Sequence, residues 1–183
     1  MKFKFIAIIF SVLLLSACSS NNSDSNVVDN QSPAETVKKY HEAMIKKDIS
    51  TAKKIGIHQG NESSKTPSDE EIKKYMDDFS NEIDKLGGLE KIKFKEIEKK
   101  DIKEDTIKSF DEKYNKNWSM VMVNYREFID KLKPNEAKPG SGLVYYFLSK
   151  VDSEYYIVGD TGGNISDVVK EGRENKYVKL KKD

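Results

Sequence analysis

Three kinds of side chain here have chemistry worth testing: one thiol, two imidazoles, and a carboxylate beside a Thr-Gly pair. The thiol is Cys18, the single cysteine of the 183-residue chain. It has no second cysteine to pair with, so an intramolecular disulfide is excluded. Its remaining use is as a nucleophile or an attachment point. The two histidines, His41 and His58, lie at no metal-ligand spacing and beside no nucleophile. His41 follows Tyr40 and is predicted to face away from the apolar stripe of its helix; both histidines read as surface residues. The carboxylate belongs to Asp160-Thr161-Gly162-Gly163. Acid catalysis by such a segment needs two aspartates sharing a proton, and this chain carries one copy, so the segment is read as a turn after a strand. Gly140-Ser141-Gly142 has no following Lys-Ser/Thr to make a phosphate loop. Asp69-Glu70-Glu71 suits a helix N-terminus electrostatically and needs no metal. No catalytic residue, metal site or cofactor is read from these residues.

The surroundings of Cys18 give its thiol a definite role. Lys2 and Lys4 are followed by an apolar run from Phe5 to Leu15 that only Ser11 interrupts. The run is short for a bilayer span and suits the core of a signal peptide. Leu15, Ser16, Ala17 and Cys18 follow, and this segment resembles the lipobox of bacterial lipoproteins at all four positions. Small residues let a peptidase approach the backbone, and the thiol then takes a diacylglyceryl group. The resemblance implies cleavage before Cys18 and anchoring through lipid, palmitate among its chains, on that cysteine. Two acyl chains anchor stably where one is marginal. Residues 19–32 are almost entirely Ser, Asn, Asp and Gln, with Val27 and Val28 the apolar exceptions. Such a stretch cannot bury enough surface to offset its ordering entropy, and reads as a tether. The expected organisation is a signal peptide over 1–17, a lipidated cysteine and tether over 18–32, and one domain over 33–183. The expected place of work is outside the cytoplasm, on the cell membrane.

Charge excludes a class of partner. The chain carries 32 basic and 31 acidic residues, a formal +1. Without Lys2 and Lys4 the balance is 30 against 31, or −1. A near-neutral protein has no global pull toward nucleic acid. The Lys-rich end, Lys176 to Lys182, reads as a solvated tail. The Lys/Asn/Ile bias suggests an AT-rich genome and a Gram-positive surface.

The domain begins as helices. Ser32-Pro33-Ala34-Glu35 is a capped helix start, and Val37, Tyr40, Ala43 and Met44 share a face as far as about Lys47. Asp48 breaks the helix, with Ser50 as cap of a short second one that ends near Gly56. Residues 58–67 read as a loop. Ser68 and Glu71 start a third helix with the stripe Ile72, Tyr75, Met76, Phe79, Ile83 and Leu86, stopped by Gly87 and Gly88. Alternation at Ile92 and Phe94 then signals a strand. Residues 101–117 fit either a short helix or a strand and turn. Trp118–Tyr125 and Leu143–Val151 are strands, the first apolar on both faces. Residues 126–141 read as a loop. Ser153-Glu154 turns the chain into Tyr155–Val158, and the glycines from Gly159 end that strand. Tyr177–Leu180 is either an edge strand or loose. Helices followed by strands define an α+β domain.

This order, with Ser32-Pro33-Ala34-Glu35-Thr36-Val37, Tyr40, Ala43, Asp48 and Ala52, resembles the NTF2-like, cystatin-like superfamily, and within it the DUF4878 family of small bacterial lipoproteins. Leu86-Gly87-Gly88-Leu89 before a Lys/Glu-rich strand resembles it too. The resemblance implies a cone, N-terminal helices packed on a curved antiparallel sheet. It also implies a cavity that holds a small molecule, holds a catalytic Asp/His pair, or is filled by side chains. Tyr40, Tyr75, Trp118, Tyr125, Tyr145 and Tyr155 are candidate pocket-lining residues, against the alternative that they are core. The leading function is a non-enzymatic module binding a small ligand or an envelope protein. The alternatives are a cavity-based enzyme or a homodimeric envelope protein. An enzyme should show an accessible carboxylate with a perturbed pKa, and a dimer should bury the outer sheet face.

Overall fold

A computed structural model of the chain describes residues 32–57, 68–85, 87–125 and 142–178. Cys18, Leu15, Ser16 and Ala17, His58, and the loops expected over 58–67 and 126–141 lie outside them. The described residues form an α+β fold of helices and a four-stranded antiparallel sheet.

Helix α1 spans Pro33–Lys46. Its start is the capping box read from the sequence: Glu35 N donates to Ser32 Oγ at 3.3 Å, and Ser32 N donates to Glu35 Oε2 at 2.9 Å. It ends on Lys47, whose backbone is left-handed (φ 57). Asp48, not Ser50, caps the short α2 (Ile49–Ala52), because its carboxylate accepts from Thr51 N at 3.0 Å. The turn Lys53–Ile57 follows. There Gly56 lies so close to the sheet that a Cβ would stand 2.6 Å from the Cβ of Ile157. Helix α3 (Asp69–Lys85) is capped by Ser68 and Glu71 as expected, and Gly87 and Gly88 close it with positive φ.

The strands are β1 (Lys93–Ile97), β2 (Trp118–Asn124), β3 (Leu143–Val151) and β4 (Glu154–Gly162), paired in chain order. Residues 101–117 resolve as helix: α4 spans Glu104–Tyr114. The β3–β4 turn is Asp152-Ser153, both at positive φ, one residue earlier than read from the sequence. Two positive φ values give the turn whose twist matches a hairpin. Strand β4 also runs past its expected end at Val158 as far as Gly162. Asp160-Thr161-Gly162 is therefore strand, not a turn after one.

Alternation along β3 sends Val144, Tyr146 and Leu148 to one face and Leu143, Tyr145 and Phe147 to the other. The first face meets Val37 of α1, Phe79 and Ile83 of α3, and Ile55. The second is covered by the chain itself. Ile107, Phe110 and Tyr114 of α4 lie on it, together with the short helices α5 (Ile165–Val168) and α6 (Glu174–Tyr177).

The described start of the Lys-rich end, residues 176–178, departs from the solvated tail expected there, and residues 179–182 lie outside the described residues. Tyr177 and Val178 are buried. Buried Asp101 accepts from Lys176 Nζ at 2.6 Å and from the Tyr177 hydroxyl at 2.7 Å, with Arg173 Nε 3.7 Å away. Lys176 also reaches Glu98 at 2.5 Å. These hydrogen bonds hold the Asp101 carboxyl below its ordinary range, Lys176 contributing most.

Candidate functional site

His41 is fully buried, at 0% exposure. This corrects the reading of it as a surface residue. It sits four residues after Val37 and three before Met44, so the helical period puts all three on the sheet-facing side of α1. Its Nδ1 lies 2.8 Å from the Val37 carbonyl oxygen. A carbonyl only accepts, so Nδ1 carries the hydrogen and Nε2 is the acceptor in the neutral ring. Nε2 then accepts from the Tyr125 hydroxyl at 2.5 Å. The Tyr146 hydroxyl in turn donates to Tyr125. The relay Tyr146, Tyr125, His41, Val37 joins the sheet to the helix. Burial lowers the His41 pKa to about 4, against a smaller upward pull from the Val37 carbonyl. The ring is neutral at pH 7.

Aromatic rings enclose this imidazole. Phe94 and Tyr146 meet it edge-on at 5.0 and 5.3 Å, Phe79 at 5.3 Å and Tyr40 at 5.9 Å, while Tyr125 stacks at 6.2 Å. The space between α1 and the sheet around His41 is thus occupied by side chains. Edge-to-face rings at these separations add to the stability of area burial alone.

The cluster has a charged rim. Asp160 pairs across the sheet with Tyr146, and the register shifts between Phe147 and Leu148. Leu148 faces Ile157, whereas Phe147 faces Gly159, so Val158 is an extra residue in β4. Strict alternation from Ile157 would send Asp160 to the α4 side. The bulge puts it beside Tyr146 on the α1 side instead. Asp160 is exposed on one side, while the protein on the other raises its carboxyl above the ordinary range by desolvation. Its charge in turn adds to the burial that raises Tyr40, Tyr75, Tyr125 and Tyr146. Tyr75, from α3, is 58% exposed and tilts on Phe79 at 6.5 Å.

The six aromatic residues named from the sequence fall into two groups. Tyr40 and Tyr125 meet the His41 ring, Tyr75 reaches it only through Phe79, and Tyr155 lies on the same face at its far end. Trp118 and Tyr145 lie on the opposite face, under α4 and the C-terminal segment. There Trp118 Nε1 donates to Asp111 at 2.7 Å, and the buried Tyr145 hydroxyl has no hydrogen-bond partner among the described residues. Three members of the site were absent from that reading: His41, Tyr146 and Asp160. Among the described residues no group of three His, Cys, Asp or Glu side chains is placed to hold a metal ion. No described helix is long and apolar enough to cross a membrane. No family model, curated protein or solved structure matches this chain.

Proposed function

We propose that this chain is an extracytoplasmic lipoprotein, cut before Cys18 and held on the cell membrane by diacylglyceryl on that thiol. Its domain is a non-enzymatic binding module of the NTF2-like kind that the sequence resembles. The observation that carries the anchoring is the register of Leu15, Ser16, Ala17 and Cys18 directly behind the apolar run Phe5–Leu15. The non-enzymatic reading is supported by His41. Both of its ring nitrogens are engaged, it is neutral, and rings surround it. A general base needs a free nitrogen within reach of a substrate proton. With aromatic side chains around His41, binding belongs at the rim and on the outer surface.

The enzymatic alternative has one observation in its favour, the accessible Asp160 with its raised pKa. It ranks second because an acid-base mechanism needs a further reacting group, and the imidazole of His41 is occupied. A homodimer through the outer sheet face ranks below both, because α4, α5 and α6 lie on that face.

Metabolic palmitate labelling tests the anchoring. Wild type should incorporate label, and Cys18→Ala should not. Equal labelling of the two would refute it.

A further inference from the structure

The near-zero net charge of the chain hides a division within the domain. On the α1 side of the sheet, α3 carries seven acidic and three basic residues, a net −4. Two other segments meet at β1, an edge strand of the sheet. Residues 91–103 carry six lysines and three acidic residues, a net +3, and residues 170–183 carry six basic and three acidic residues, again +3. Specific contacts clasp the two together. Ile102 bridges Val169, Lys170 N donates to the Asp101 carbonyl oxygen at 2.8 Å, and Lys95 Nζ donates to the Tyr177 carbonyl oxygen at 3.3 Å. Lys176 and Lys100 both reach Glu98, the latter at 2.6 Å, and Arg173 lies 3.7 Å from Asp101. Lys93 and Lys95 alternate with Phe94, which packs against His41, so both leave β1 on the opposite face, beside buried Ile97. The carboxylate that holds Lys176 and Arg173 is itself 2% exposed, while those two side chains are 40% and 62% exposed. Burying the anion and leaving its cations outside makes this surface more basic than the count of charges does.

A charge division of this kind orients a molecule in a field even where the net charge is near zero. The proposed anchor supplies such a field. Cys18 and Ser32 are 14 positions apart, so lipid on Cys18 would keep the start of α1 within about 50 Å of the bilayer. Anionic headgroups attract lysine and arginine within a Debye length and repel an acidic helix such as α3. Tethering also supplies the effective concentration that lets weak contacts persist. The exposed large apolar side chains among the described residues, Tyr75 and Val151, belong to α3 and the end of β3. The clasp therefore offers charge without an apolar wedge. We infer that the face formed by Lys93, Lys95, Lys100, Arg173 and Lys176 rests on anionic phospholipid headgroups of the anchoring membrane. This inference rests on the anchoring reading and adds the orientation of the domain to it. The domain then turns acidic α3 away from the bilayer.

The test uses the full lipid-bearing chain purified from membranes and reconstituted on vesicles of phosphatidylcholine, with or without phosphatidylglycerol. Flotation reads the anchoring and lysine acetylation, resolved by mass spectrometry, reads the face. The chain should float with both kinds of vesicle. Lys93, Lys95, Lys100 and Lys176 should acetylate several-fold more slowly on the phosphatidylglycerol vesicles, while Lys73 and Lys74 of α3 are unchanged. That protection should vanish in about 1 M salt, where the Debye length is about 3 Å. The double variant Lys93→Gln, Lys100→Gln should lose most of the protection at Lys95 and Lys176. Both replaced side chains are exposed, so the thermal midpoint should stay near wild type. Lys73→Gln with Lys74→Gln should behave as wild type does. The inference is overturned if acetylation is equal on the two vesicles, if α3 is protected equally, or if protection survives the salt or the double variant. Protection by soluble polyphosphate on phosphatidylcholine vesicles, with none from phosphatidylglycerol, would assign the face to a dissolved polyanion and overturn it too. A chain that floats yet shows no protection fails this inference alone; a chain that does not float with phosphatidylcholine fails the anchoring.

Discussion

At the scale of single residues, the fold depends on keeping one imidazole neutral. Burial lowers the His41 pKa from about 6.5 to about 4. Between those values the unfolded chain binds a proton that the folded chain excludes. Stability is therefore full above about pH 6.5 and falls as pH drops toward 4, by about 3 kcal/mol in total from this group. Urea unfolding of wild type and His41→Gln should show a stability difference that shrinks across that window; a pH-independent difference would contradict the assignment. Tyr145 makes the opposite case. Its hydroxyl is buried without a partner among the described residues, so Tyr145→Phe should raise stability by about 1 kcal/mol, and a loss would show that the hydroxyl is satisfied. The environment of His41 was not read correctly from residue type. A histidine following a tyrosine looks polar and outward, yet its spacing from Val37 and Met44 already put it on the buried face. Asp160 was harder, because a bulge reverses the side of every residue beyond it and leaves no periodic signal.

At the scale of elements, the caps of α1 and α3 were legible because they are local chemistry. Ser32 with Glu35 and Ser68 with Glu71 are each satisfied within four residues of chain. The C-terminal segment was not, because its partners are distant in sequence. Asp101 and Tyr177 meet across 76 positions to fasten α6 onto the outer sheet face. Such long-range closure is invisible to periodicity, and a Lys-rich end reads as solvated when its partner is unknown. Asp101→Asn removes the charge that Lys176 and Arg173 face. It should speed amide exchange at Lys170 and Val178, whose N–H groups bond Asp101 O and Glu174 O, while the β2 and β3 amides stay protected. Unchanged exchange at Val178 would show that the apolar contacts of Tyr177 and Val178 hold the segment alone. The two-sided burial of β2 was legible from its unbroken apolar run. What covered the second face was not, and it proved to be α4, α5 and α6 of the same chain.

At the scale of the whole molecule, the proposed signal and tether precede an α+β domain with an aromatic interior around His41 and a charged rim. Class and layer order followed from the succession of helical and strand periods. The function did not, because the same fold serves many sites. The claim with most consequence concerns where the molecule works, and it turns on one covalent bond. Intact mass spectrometry of the chain purified from its native membrane reads that bond directly. The expected result is a mature protein whose first residue is Cys18, with a thioether-linked diacylglyceryl mass that vanishes in Cys18→Ala. A chain that retains Met1–Ala17, or begins at Cys18 with a free thiol, would contradict it.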